Sequence, residues 1–158
     1  MGDAEATSAA ETAAEHLGKA LALAGYTVVT GGRGGVMQAA SKGAFEAGGT
    51  VLGILPGTEL DAANPYCTVV LPTGQGHGRN HTNVLAGDAV VVIGGKAGTL
   101  SELSFAWLYG KPIVAWAGSG GVADQYAGAA MDTRKRRPIA ASSSVEGILD
   151  WLREVFSH

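Results

Sequence analysis

Two stretches of this chain combine glycines with the start of a helix in a way that suits anion binding. The first is Gly31-Gly32-Arg33-Gly34-Gly35, which follows a short β-branched run and leads straight into a helical pattern containing Met37. Bare glycine backbone lets N–H groups approach a ligand, and a helix N-terminus adds partial positive charge. Arg33 can add a charge-assisted contact. The second is Gly94-Gly95-Lys96-Ala97-Gly98-Thr99-Leu100-Ser101-Glu102, again between a strand and a helix. Gly98 and Thr99 fall at the expected helix start, where free amides and a hydroxyl can grip phosphate. Glu102 stands three residues after Thr99, a spacing it shares with a capping box, which would make its role structural. Lys96 reads either as a phosphate partner or as a solvated turn residue. Each stretch alone also reads as a tight turn without a ligand, but two in one small sheet point to a phosphate site.

The segment Gly74-Gln-Gly-His-Gly-Arg-Asn80 brings Arg79, Asn80, His81 and Asn83 to the start of another helix. Arg79, placed after glycines, suits phosphate or carboxylate recognition. His77 and His81 have i, i+4 spacing, but Gly78 interrupts a helix there and no third ligand is evident, so no metal is expected. No nucleophile elbow, Walker lysine motif, zinc spacing or GxGxxG fingerprint is present. Cys67 reads as a small core residue inside a strand.

The elements that position these residues alternate. Helical spacing from Ala4 to a Gly25 stop is followed by Tyr26–Thr30 as a strand, then a helix from Gly35 to Ala47. Further strands are read at Val51–Leu55, which ends in Pro56-Gly57, and at Cys67–Leu71. A helix near Arg79–Ala86 leads to a strand at Ala89–Ile93, a helix at Thr99–Leu108 and a strand at Pro112–Trp116. A last strand at Pro138–Ala141 precedes a helix capped by Ser144. The strands are continuous apolar runs, as expected when both sheet faces are buried. The predicted fold class is α/β: a Rossmann-like parallel sheet with helices on both faces, here lacking a strand ahead of the first helix. Residues 1–158 read as one nucleotide- or phosphate-binding domain.

Bulk properties agree. The chain has 158 residues, 46% hydrophobic and 16% charged, with 25 glycines. No apolar run approaches the roughly 20 residues of a membrane helix. The N-terminus lacks a signal-peptide pattern and the single cysteine cannot form an internal disulfide, so a cytoplasmic location is expected. A net charge of −3 argues against nucleic acid as partner, and Arg134–Arg137 reads as a solvated turn.

Taken together, Thr30–Met37, Gly53-Ile-Leu-Pro56-Gly57, Arg79-Asn80 with Asn83 and Val84, and Gly94–Glu102 resemble the LONELY GUY-like (SLOG) superfamily, long labelled "possible lysine decarboxylase". The match runs from about Ala14 onward and is closest to the molybdenum cofactor carrier branch. The resemblance implies a Rossmann-like fold and homodimers or homotetramers, with Trp107 and Leu108 as interface candidates whose alternative role is core. It implies ligand contacts from Gly31, Gly32, Arg33, Gly34, Gly35, Met37, Pro56, Arg79, Asn80, Asn83, Gly94, Gly95, Lys96, Gly98, Thr99 and Glu102.

Two activities follow from that likeness. A carrier would hold a phosphorylated, nucleotide-like ligand without turnover, with molybdenum cofactor as cargo. A phosphoribohydrolase would cleave cytokinin base from its riboside 5′-monophosphate, Arg79 orienting substrate and Glu102 stabilising the oxocarbenium-like centre. A non-catalytic structural or regulatory oligomer module is a third reading. Lysine decarboxylation is disfavoured, because neither Lys42 nor Lys96 offers a Schiff-base site. Gly94 and Lys96 stand where the hydrolase motif has a proline and its last glycine, and Asn83 follows the carrier pattern.

Overall fold

The computed structural model describes residues 1–157. In chain order the elements are α1 (Ser8–Leu23), β1 (Val28–Thr30), α2 (Val36–Glu46), β2 (Val51–Leu55), β3 (Val69–Pro72) and α3 (Arg79–Ala86). They continue as β4 (Val90–Val92), α4 (Ala97–Tyr109), β5 (Ile113–Trp116), α5 (Gly121–Tyr126), β6 (Ala140–Ser142) and α6 (Val145–Phe156). The strands form two parallel sheets of three, ordered β1-β2-β3 and β4-β5-β6.

Residue alternation explains how apolar runs serve two cores at once. Along β4 and β5, Val90, Val92, Ile113 and Ala115 pack with α3, α4 and α5. Their neighbours Ile93 and Val114 pack with α1, α2 and α6. Successive strand side chains point to opposite faces, so a strand covered on both sides needs apolar residues at every position. The expectation of two buried faces fails at β3, where Val69 is 51% and Leu71 45% exposed. β3 is an edge strand with less cover than the centre.

No strand precedes α1 among the described residues. Met1 instead makes a single parallel bridge on the β4 edge facing away from β5. Its ammonium donates to Val91 O at 2.5 Å and its carbonyl accepts from Ile93 N at 2.8 Å. Val36 N then donates to Asp3 O at 2.9 Å, so residues 1–3 tie the end of β4 to the start of α2.

Helix ends follow local chemistry. Thr7 Oγ1 accepts from Ala10 N at the start of α1, and Ser144 Oγ accepts from Gly147 N at the start of α6. Gly110, at φ 66°, ends α4 in the left-handed conformation. Arg136, from the basic run, donates to Leu108 O at 2.9 Å and adds favourable charge at that C-terminus. Trp107 is buried and donates from its indole to Asp132 at 2.9 Å, so it belongs to the chain's own core. Leu108 is exposed. Cys67 lies just ahead of β3 rather than within a strand, where it is half-buried against Gly53. No helix among the described residues is long and apolar enough to cross a membrane.

Candidate functional site

Both glycine corners stand at the carboxyl ends of their strands, and the first turn of α3 touches each. The Arg79 guanidinium lies over Gly31: a Cβ at Gly31 would sit 2.2 Å from Arg79 Nη1 and 2.5 Å from Met37 Sδ. Asn80 reaches the other corner, donating from Nδ2 to Ser101 Oγ at 2.9 Å, while Ser101 Oγ donates to Gly98 O at 2.6 Å. One turn further along α3, Asn83 Nδ2 donates to Glu102 Oε1 at 2.9 Å. Arg79, Asn80, Thr99 and Glu102 are all more than nine-tenths buried.

The two corners differ in what they offer. At the first, Gly32 N donates to Thr30 Oγ1 and Val36 N to Asp3 O, so those amides are already engaged. Asn64 clamps the corner further, donating from its own N to Gly32 O and from Nδ2 to Arg33 O. Gly34 and Gly35 back onto the Asp3 and Ala4 carbonyls. Of the first corner's glycine amides, that of Gly32 is therefore spent within the chain. Gly31 supplies a bare surface on which a guanidinium rests, and Arg33 projects into solvent.

At the second corner, Gly94 N is held by Ser119 Oγ at 2.8 Å, and the Gly94 and Gly95 carbonyls accept from Ala123 N and Val122 N. Beyond this brace, α4 begins at Ala97 without a side-chain cap. The first amides of a helix have no partner within it, and Lys96, Ala97 and Gly98 are exposed, so this end is open to a ligand. Because α4 starts ahead of Thr99, Thr99 is not its N-cap, and Glu102 bonds Asn83 instead of closing a capping box.

Arg79 decides the electrostatics. Burial pushes its pKa down, the Glu102 carboxylate pulls it back up, and Arg33 adds a smaller repulsion. Glu102 forms no ion pair with it among the described residues, and Arg79 Nε is buried without a hydrogen-bond partner. Burying a cation without an ion pair is unfavourable, a cost that a bound anion offsets.

Of the remaining expected contacts, Pro56 accepts from Gly76 N and so ties β2 to the segment entering α3. His81 Nε2 lies 2.7 Å from Tyr109 Oη. Sequence reasoning missed Asn64, Ser101, Ser119 and Asp124, the last accepting from Gly118 N and Gly120 N. The glycines at Gly118, Gly120 and Gly121 after β5 carried the same strand-end signal as the two corners read, and Asn64 precedes Pro65, a turn-forming pair.

Gly31→Ala gives a direct check on this geometry. Gly31 does not have a positive φ, and the groups a methyl would meet are the ends of flexible side chains. The variant is expected to fold normally while displacing the guanidinium, weakening phosphate binding by about tenfold, or about 1.4 kcal/mol. Titration calorimetry against inorganic phosphate, beside a thermal melt, measures both.

A model of the SLOG cluster4 family matches residues 1–148. The chain belongs to that family. A protein of Archaeoglobus fulgidus of uncharacterised function is 39% identical over 100 residues, covering 63% of this chain and 66% of that one. The crystal structure of TM1055 superposes with a TM-score of 0.88 at 37% identity, covering 93% of this chain and 89% of its own. The molybdenum cofactor carrier protein of Chlamydomonas reinhardtii superposes with a TM-score of 0.85 at 30% identity, covering 100% of this chain and 94% of its own. The SLOG membership and these superpositions agree with the Rossmann-like α/β reading.

Proposed function

We propose that this chain binds a phosphate-bearing small molecule between Arg79 and the open N-terminus of α4, and carries it without turnover. The observation that carries this reading is the buried residue Arg79, its guanidinium over Gly31 and without an ion pair among the described residues. An anion there gains charge-assisted hydrogen bonds from the fork and favourable interaction with the helix dipole. The likeness to a molybdenum cofactor carrier protein supports molybdenum cofactor as the cargo, held through its phosphate end. Gly94 and Lys96 depart from the hydrolase motif, and Asn83 follows the carrier pattern.

The phosphoribohydrolase reading retains one specific support. Glu102 is a buried carboxylate fixed by Asn83 rather than spent on capping, which suits stabilisation of positive charge at a ribosyl carbon. Incubation with adenosine monophosphate and with a cytokinin riboside 5′-monophosphate separates the two. The carrier reading expects no free base, and retention of molybdopterin through gel filtration. Base release that disappears in Glu102→Ala would replace it with the hydrolase.

A further inference from the structure

Asn83 holds a second unmet demand in the same site. Its Nδ2 is committed to Glu102 Oε1 at 2.9 Å, while its Oδ1 is buried without a partner. Rotating the amide offers no relief, because the oxygen would then face the carboxylate; Glu102 sets the orientation. Asn83 lies one helical turn beyond Arg79 on α3, so the two side chains share a face of the helix. That face thus presents a donor-only cation, with its Nε unpartnered, next to an acceptor to which no described residue donates. Buried acceptors are costly to leave unmade, and an anion alone cannot satisfy one.

We propose that Asn83 is a specificity-determining residue: its Oδ1 accepts a hydrogen bond from a hydroxyl or N–H that the ligand carries beside the anionic group held by Arg79. This rests on the anion-binding reading and adds a selectivity which that reading does not require. A site built to pair with a hydroxyl rejects the analogue lacking it far more strongly than size alone explains.

Calorimetry with glycerol 3-phosphate and propyl phosphate, which differ in their hydroxyls, tests it. Glycerol 3-phosphate is expected to bind roughly tenfold tighter or more. In Asn83→Leu the ratio falls to about one while propyl phosphate still binds; Asn83→Ser serves the same purpose should the leucine variant fail to fold. Equal binding of the two phosphates, or a ratio that persists without Asn83, would each overturn the proposal and leave the anion site standing. Binding of neither phosphate would defeat the anion-site reading itself.

Discussion

Arg79→Met is expected to melt at a higher temperature than the parent chain and to bind phosphate some 30- to 150-fold more weakly, the range of a charge-assisted bond worth about 2–3 kcal/mol. The two effects share one cause. In the free protein Arg79 is a buried residue that has no ion pair among the described residues and leaves Nε unbonded. Methionine keeps the apolar stem and removes the charge, so the desolvation cost disappears while packing is largely retained. Replacing buried ionic groups by well-packed apolar residues of similar volume is often neutral or stabilising by about 1–4 kcal/mol. For a domain of this size each kcal/mol raises the melting temperature by roughly 2–4 °C. Phosphate narrows the gap between the two melting temperatures, because the parent gains the larger binding energy. A melt of each protein with and without phosphate, beside calorimetry, reads both halves. Unchanged affinity would remove Arg79 from the site, and a lowered melting temperature would mean that its charge already has a partner.

Gly43→Ala is expected to lower the melting temperature by roughly 6–12 °C, the equivalent of about 3 kcal/mol. Two effects of opposite sign compete there. Alanine is the better helix former by about 1 kcal/mol. Against that, a Cβ at Gly43 would sit 1.9 Å from Glu15 O and 2.9 Å from Lys19 N, both backbone atoms of α1. A Cβ at Gly18 of α1 would likewise sit 2.1 Å from Ala40 O. Neither contact can be relieved by rotating a side chain, so α1 must lift from α2. That movement loosens Ala10, Ala14 and Leu17 against Val36 and Ala39. The clash outweighs the propensity gain. A melt equal to or above the parent would show that the two helices have more freedom to separate than their packing implies.

Much of the architecture could be read directly. The apolar runs at Val51–Leu55 and around Val90–Val92, each bounded by Gly or Pro, became strands because β-branched residues between turn formers have few other places to go. The stripe through Ile148 and Leu152 after Ser144 became a capped helix for equally local reasons. α5 escaped notice because six residues with two glycines ahead carry too little periodicity to register. The edge character of β3 escaped because an apolar run looks the same wherever its strand stands in the sheet.

For the site, the chain order alone determined which residue types stand near the strand ends: glycines, Arg33 and Arg79, Glu102, and the amides of Asn80 and Asn83. Tertiary structure decided what each of them does. It gave the Gly32 and Val36 amides internal partners, turned Glu102 from a cap toward Asn83, and buried Arg79 against Gly31 without a counter-ion. Turn and helix preferences depend on neighbours a few residues away, and so they are written locally. Burial, dielectric and the identity of a hydrogen-bond partner depend on segments far apart in the chain, which only the folded molecule brings together.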